Sequence, residues 1–216
     1  MTTGTFNQSV KFSGKIGGAR KVFEGQVKLL VGGFSFNLED LPTAGNVLPA
    51  GTPVQVDEQA RTIKPLIAFE VVKVDAEDPK KIQVKSYGEG TRLKAGMALG
   101  LMPSTLTSAS TAYTTVSSFA IGDDVNEVVL AGAISGLSVG SIIVEVGASD
   151  HKVKAIPNAL TPYDICLDKD AVACDGDAAW GCFDFPVLER RMPVINDAIK
   201  KALADAGCFF RFSNRY

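Results

Sequence analysis

The chain has one histidine and one tryptophan among its 216 residues. Histidine is the side chain used most often for general acid–base catalysis near neutral pH, so its scarcity excludes most catalytic designs of that kind. The chain also lacks an excess of charge of either sign, because 22 Lys and Arg stand against 24 Asp and Glu. Nucleic-acid binding demands a strong positive field, so we expect no nucleic-acid partner.

Long apolar runs and paired cysteines are missing too. No run of 18 apolar residues could cross a membrane, and residues 1–8 (MTTGTFNQ) lack the apolar core of a signal peptide. The cysteines never form the C-x-x-C pairs of a structural zinc site. We therefore expect no membrane partner, no structural metal, and four reduced, mostly buried thiols, at Cys166, Cys174, Cys182 and Cys208.

What the sequence does contain is a series of short alternating segments separated by turn residues. Residues 81–85 (KIQVK) alternate strictly between charged and apolar side chains, and residues 64–74 are rich in β-branched residues. The 21 glycines and 10 prolines interrupt such segments frequently. We predict a mainly β fold built from two small tandem antiparallel sandwich or barrel modules.

One segment divides these modules by its composition. Residues 104–118 hold ten Ser and Thr in fifteen positions, which disfavours a stable helix. We predict that they form a linker or an extended segment between a first module at residues 38–103 and a second module at residues 119–216. Residues 1–37 are predicted to form an N-terminal arm.

Only one convincing helix pattern is present, at about residues 195–206. Its apolar residues recur at helical spacing on one face, and Gly207 stands where a C-terminal cap is expected. We predict that this helix covers a β-domain, and that the chain then ends in a last strand.

The motifs that could carry catalysis are weak. Residues 136–140 (GLSVG) match the G-x-S-x-G pattern of a hydrolase, but residues 141–146 (SIIVEV) predict a strand where that motif needs a helix. A turn between strands is the better interpretation. A dyad of His151 with a cysteine stays open, although nothing near the cysteines in sequence would lower a thiol pKa.

Two further features could indicate a binding site, an acidic stretch for calcium and a tryptophan for sugars. The acidic stretch from Asp168 to Asp184 fails the calcium-loop pattern, because Val172 and Ala173 stand at the fifth and sixth positions. Solvated turns explain it better. The single Trp180 argues against a platform for stacking sugars, although Phe and Tyr side chains could substitute for tryptophan. We therefore expect no enzyme, no cofactor and no metal.

The first acidic residue is Glu24, and four cations precede it: Lys11, Lys15, Arg20 and Lys21. Two interpretations compete for this segment. It is a frayed terminus, or it is a basic tail that docks on an acidic neighbour.

Several short motifs resemble head proteins of tailed bacteriophages. Residues 48–57 (LPAGTPVQVD), followed by Arg61 and residues 94–99 (KAGMAL), are similar to auxiliary capsid or decoration proteins. The second half is similar to the phage head fibre family, through residues 164–168 (DICLD), 179–182 (AWGC), 192–195 (MPVI) and 209–212 (FFRF).

The resemblance implies a structural virion protein, assembled in the host cytoplasm, that binds the outside of the capsid and stabilises or decorates the head. Its partners would be the major capsid protein, other copies of itself in a homotrimer, and other head fibre proteins. Residues 1–37 and 104–118 would then drape over the capsid, with contacts from Lys11, Lys15, Arg20 and Lys21.

Two alternatives remain. The first is a receptor- or glycan-binding β-module of a phage fibre or surface protein. The second is an enzyme on a β-scaffold, for instance a lyase, whose activity would depend on His151.

Overall fold

The computed structural model describes residues 21–30, 33–37, 47–86, 92–122, 124–166 and 174–214. In these ranges the backbone forms one 3-10 helix (Glu189–Arg191) and one α-helix, α1 (Asp197–Asp205). The predicted mainly β fold with a single short helix is confirmed. The strands are β1 (Gln26–Leu29), β2 (Phe34–Phe36), β3 (Val47–Leu48), β4 (Pro53–Asp57), β5 (Thr62–Pro65), β6 (Ala68–Val74), β7 (Lys81–Lys85), β8 (Ala98–Leu101), β9 (Tyr113–Ala120), β10 (Val125–Leu130), β11 (Ile142–Glu145), β12 (Ala159–Leu160), β13 (Ile165–Cys166), β14 (Cys174–Gly176), β15 (Ala179–Phe183), β16 (Val187–Leu188) and β17 (Phe212–Ser213).

Six strands that follow one another in the chain, β6 to β11, close into a barrel. Their order around the barrel is β10-β7-β6-β11-β8-β9, and all neighbouring pairs are antiparallel. Strand β7 alternates between buried and exposed side chains, as a barrel wall requires. Ile82 and Val84 are buried, while Lys81 and Lys85 are exposed. Closure leaves the barrel without an unpaired edge.

The barrel interior is a packed apolar core. Alternation along each strand sends one side chain inward and the next outward, so that in β11 Ile143 lies in the barrel core and Val144 lies outside it. The strand residues of this core are Phe69, Val71, Ile82, Val84, Leu99, Val116, Val128, Leu130 and Ile143.

A seven-stranded sheet is built from both ends of the chain. Its order is β1-β15-β12-β4-β5-β2-β14, and its pairs are antiparallel except for the parallel pair β2–β5. Strands β1, β2, β4 and β5 precede the barrel in sequence, and β12, β14 and β15 follow it. The barrel is therefore an insertion between the two halves of this sheet.

Helix α1 packs into the largest cluster of buried residues, where it meets both assemblies. Asn196 caps the helix, since its side-chain oxygen accepts a hydrogen bond from the backbone N–H of Ile199 at 3.0 Å. Gly207 ends it with a φ of +81°. The cluster joins the outer barrel wall, the sheet and the helix through Ala68, Ala98, Val144, Leu160, Cys182, Ile199 and Leu203. The predicted helix and its covering position are thus both observed.

The strand pairing does not follow the predicted division of the chain. The predicted arm contains β1 and β2, which pair within the seven-stranded sheet. The predicted first module, residues 38–103, gives β4 and β5 to the sheet and β6 to β8 to the barrel. The second, residues 119–216, is likewise shared between the two assemblies. The two assemblies are nested rather than consecutive.

The predicted linker at residues 104–118 also differs from the structure, because β9 begins within it. This strand pairs with β8 and β10 as a full member of the barrel wall. Thr115, Ser117 and Ser118 are exposed and Thr114 is half-buried, while Val116 is buried in the barrel core. A hydroxyl-rich composition suits a strand with one solvated face, so residues 113–118 are neither a linker nor a free capsid-draping segment.

Gly51 lies between two segments that are far apart in sequence, around Val22 and Met192, so its substitution tests how these segments pack. Its φ is +76°, and a Cβ there would lie 2.9 Å from Cγ1 of Val22 and 3.0 Å from Cγ of Met192. Gly96 has a similar φ of +80° with no atom within 4 Å of such a Cβ. We expect Gly96→Ala to cost about 1 kcal/mol from backbone conformation alone. Gly51→Ala should cost about 2 kcal/mol more, because the added methyl group displaces two buried side chains.

The measurement is the free energy of unfolding in urea for both variants and the unchanged chain. Equal losses for the two variants would contradict this packing of Gly51 against Val22 and Met192.

Candidate interaction surface

The predicted capsid contacts fall at the start of the described chain or before it. Lys11, Lys15 and Arg20 lie outside the described residues. Lys21 is exposed, and its ammonium donates to Glu24 at 2.9 Å. This hydrogen bond, aided by the positive charges of Lys21 and Arg191, lowers the pKa of Glu24. The structure therefore gives Lys21 an intramolecular partner at the surface.

The residues next to Lys21 are fixed in the body of the protein. Val22 and Phe23 are buried in the largest cluster. The carbonyl of Val22 accepts a hydrogen bond from the N–H of Leu188 at 2.9 Å, and the carbonyl of Lys21 accepts one from the guanidinium of Arg191 at 2.8 Å. We call residues 21–24 the arm root, because they connect residues 1–20 to the body of the protein.

The motif that carries the resemblance to decoration proteins forms a buried turn. The Thr52 hydroxyl donates to the carbonyl of Pro49 at 2.7 Å, and the Thr161 hydroxyl donates to the same oxygen at 2.8 Å. The N–H of Ala50 donates to a carboxylate oxygen of Asp164 at 2.7 Å. The Pro-Ala-Gly-Thr residues of the motif therefore have a structural role, because their polar groups take part in hydrogen bonds within the protein.

The G-x-S-x-G segment is a turn, as predicted. Gly136 and Gly140 have φ values of +76° and +83°, and β11 begins two residues after Gly140. The Ser138 hydroxyl lies 3.0 Å from the hydroxyl of Ser141. A hydrolase would need a helix after this serine and a base beside it, so the segment does not have the geometry of a nucleophile elbow.

His151 and the described thiols have separate partners. The His151 ring stacks on Tyr113 with centroids 3.4 Å apart, and its Nδ1 is buried without a hydrogen-bond partner among the described residues. Cys182 donates to the carbonyl of Phe185, and Cys208 donates to the carbonyl of Asn158. Burial raises the pKa of both thiols, that of Cys208 to about 11. Neither has the thiolate character of a nucleophile.

The acidic residues that the structure describes also act within the fold. Asp175 accepts a hydrogen bond from the Ser35 hydroxyl at 2.7 Å, and Asp177 accepts one from the Tyr163 hydroxyl at 2.7 Å. Burial, with the nearby Asp177, raises the pKa of Tyr163 to about 12. Within the described ranges, no three His, Cys, Asp or Glu residues come together as a metal site would require.

A cavity of about 480 Å³ lies between the barrel and the segment around the 3-10 helix. Two ion pairs involve its acidic lining residues: Lys85 lies 3.5 Å from Glu70, and Glu189 lies 2.9 Å from the ammonium of Lys200. Both lining carboxylates are thus paired with lysines, and Arg190 also lines the cavity.

An exposed group of aromatic rings is the most distinctive surface feature. Trp180 and Phe183 meet edge to face, with centroids 5.9 Å apart and an interplanar angle of 80°. Phe183 stacks on Phe209, with centroids 5.1 Å apart and an angle of 19°. Trp180 is 37% exposed and Phe209 is 58% exposed. We call these three residues the aromatic surface.

A β-bulge brings these rings to one side of the sheet. Lys28 pairs with Gly181 and Leu29 pairs with Ala179, so Trp180 is an extra residue on β15. A bulge of this kind turns a side chain out of the regular alternation. The N–H of Phe209 donates to the carbonyl of Trp180 at 2.9 Å, which holds residue 209 beside the bulge. The ammonium of Lys28 lies 5.8 Å from the centroid of Phe183.

A strained turn follows the aromatic surface directly. Asp184 has a φ of +71°, and the N–H of Phe185 donates to the carbonyl of Phe183 at 2.9 Å. This is a γ-turn with a non-glycine residue at its centre, a rare conformation that costs about 1–3 kcal/mol. Gly25 passes so close that a Cβ there would overlap the Phe183 oxygen and lie 2.9 Å from the Phe185 nitrogen. The turn therefore depends on glycine in the neighbouring chain segment.

The aromatic surface was not predicted from the sequence, in which Trp180 stands as a single tryptophan. The close spacing of Trp180 and Phe183 is the available signal. Strict alternation places residues 180 and 183 on opposite faces, and only the bulge overrides that rule. The participation of Phe209 depends on a contact between segments distant in the chain.

Comparison of the chain with models of protein families, with curated proteins and with solved structures finds no match. In the part of the chain that the structure describes, no helix has the length and apolar character needed to cross a membrane.

The raised thiol pKa values predict slow alkylation. Because burial keeps Cys208 protonated until about pH 11, whereas an unfolded thiol ionises near 9, the native chain holds far less thiolate at pH 8.5. We expect iodoacetamide to label Cys208 at least about tenfold more slowly in the native chain than in urea. Mass spectrometry of the Cys208 peptide measures both rates in the same chain. Equal rates would contradict its burial.

Proposed function

We propose that the chain is a structural virion protein of a tailed phage that binds the outside of the capsid lattice. The observation that carries this proposal is the arm root: Val22 and Phe23 are buried, so a basic segment of twenty residues is tethered firmly to a β-body. The resemblance of residues 48–57 to phage decoration proteins supports the same function.

A tethered basic segment suits docking on an acidic protein surface. Residues 1–20 contain Lys11, Lys15 and Arg20 and no acidic residue. Their charges would attract carboxylates of the major capsid protein, and the lattice repeats that contact many times. Repetition turns a modest single contact into a large total stabilisation of the shell. This function needs no catalytic group, cofactor or nucleic acid, and its location is the virion after assembly in the host cytoplasm.

The proposal includes self-association as a homotrimer and contact with other head fibre proteins. The seven-stranded sheet ends at β1 and β14, which stand at the two ends of its strand order. Exposed sheet edges are sites where another chain can add. Closed assembly of three copies would cover such edges, and the lattice offers sites of matching symmetry.

Deletion of residues 1–20 tests the proposal. We expect the shortened chain to keep its fold, because the buried residues of the arm root remain, and to lose binding to empty capsids of the phage that encodes it. Cosedimentation with capsids measures binding, and circular dichroism measures the fold. A folded, shortened chain that still binds would contradict the proposal.

A charge-matched pair of variants sharpens this test. One replaces three cations of the arm with glutamine, at Lys11, Lys15 and Arg20. The control replaces three exposed lysines of the barrel region, at Lys73, Lys80 and Lys94. We expect the arm variant to weaken capsid binding at least about tenfold at low salt. The control variant should leave binding unchanged, because the proposed contact depends on the charges of the arm and not on the net charge of the protein. Equal weakening would indicate a nonspecific charge effect.

A further inference from the structure

The proposed function leaves the aromatic surface without a role. Trp180 and Phe209 expose ring faces, and both rings are held by Phe183, which contacts one edge to face and the other by stacking. Because Phe183 lies roughly parallel to Phe209 and perpendicular to Trp180, the two exposed ring planes are nearly perpendicular. The bulge and the neighbouring strained turn hold this arrangement on a strand, and strain of this kind concentrates at functional sites.

The size of the aromatic surface limits what can bind it. With 37% of Trp180 and 58% of Phe209 exposed, the apolar area is on the order of 200 Å². A stable protein–protein interface buries about 800 Å² on each partner. The rings alone are therefore too small for a lasting protein contact, whereas a ligand of one or two six-membered rings would cover them.

Hydrogen-bond donors lie beside Phe183 on the adjacent strand β1. The ammonium of Lys28 lies 5.8 Å from the centroid of Phe183 and donates to the side-chain oxygen of Gln26 at 3.0 Å. That pairing leaves the Gln26 amide N–H groups and two ammonium protons as donors. Stacked faces with donors at the side match a pyranose ring, which has an apolar C–H face and hydroxyl oxygens around its edge.

Other flat ligands fit less well. Nucleic-acid bases stack on aromatic rings, but they bind in grooves where several cations follow the phosphate backbone. The described contacts at these rings include the cation of Lys28 alone. A single ammonium hydrogen-bonded to an amide suits a neutral ligand better than a polyanion.

We propose that the aromatic surface is a carbohydrate-binding site that takes a neutral pyranose of an oligosaccharide. The sugar stacks on the exposed ring face of Phe209 and contacts Trp180 beside it, and Gln26 and Lys28 donate hydrogen bonds to its hydroxyl groups. The site shares no residue with the arm root or with the preceding residues 1–20.

Trp180 is the only tryptophan, so its fluorescence reports on this site directly. The full chain is first screened on an array of neutral and acidic glycans. The best neutral oligosaccharide is then titrated while Trp180 emission is recorded. We expect a saturable change in emission. In Phe209→Ala, which keeps the fluorophore, we expect the dissociation constant to rise at least about tenfold.

Matched variants separate this site from general effects. Ile121→Ala removes a side chain that is 60% exposed on the barrel, and we expect unchanged sugar binding. Lys28→Ala keeps all three rings and removes one donor, and we expect a several-fold loss of affinity. Circular dichroism confirms the fold of each variant. Sugar binding that is equal in Phe209→Ala and in the unchanged chain would overturn the assignment.

Failure of the carbohydrate site can be distinguished from failure of the proposed capsid binding. Deletion of residues 1–20 should leave the sugar titration unchanged, because the aromatic surface is intact. A chain that binds no glycan on the array overturns the carbohydrate site. If Phe209→Ala then also loses capsid binding, the rings belong to a protein contact instead.

Discussion

The antiparallel pairing of β1 with β15 is the constraint on which the rest of the molecule depends. It joins residues near the start of the chain to residues near its end, for example Gln26 to Phe183. Together with the pairs β4–β12 and β2–β14, this pairing joins the two halves of the seven-stranded sheet and holds the barrel as an insertion between them. The arm root directly precedes β1, and Trp180 and Phe183 of the aromatic surface lie on β15, so the two proposed binding functions share one structural support.

Local patterns predicted the elements well, because alternation and capping are local properties. The alternating KIQVK segment became β7, and the helix ends at Gly207 as expected. The assembly of the elements was not predictable in the same way. Whether a strand pairs with its neighbour or with one over 150 residues away depends on which side chains fill the shared core, and composition does not record that. A hydroxyl-rich segment is ambiguous for a related reason, because an outer barrel face and a linker are equally polar. In β9 the buried side chain of Val116 is what distinguishes the strand from a linker.

The surface was predicted less completely than the fold. The basic residues before Glu24 were visible because charge is a one-dimensional property of the sequence. The aromatic surface was hidden, since it needs an extra residue in β15 to turn Trp180 and a separate segment to bring Phe209 beside Phe183. A register irregularity of one residue has no reliable sequence signature. An isolated aromatic residue should therefore be judged together with its neighbours two or three positions away, because a bulge can place them on one face.

The two proposed activities have complementary physical demands when they occur in one molecule. A saccharide that meets two exposed rings and a few hydrogen-bond donors binds weakly, because little area is buried and solvated hydroxyl groups lose water on binding. Weak single contacts become effective when a shell displays many copies at fixed spacing, since each later contact forms at high effective concentration. Arrangement on a lattice would supply that display, and the ladder that carries both the arm root and the aromatic surface would keep every copy in the same orientation. The value of a closed barrel and an anchored root in such a protein is therefore rigidity, because a flexible connection would spread the binding sites over many orientations and lower the effective concentration on which avidity depends.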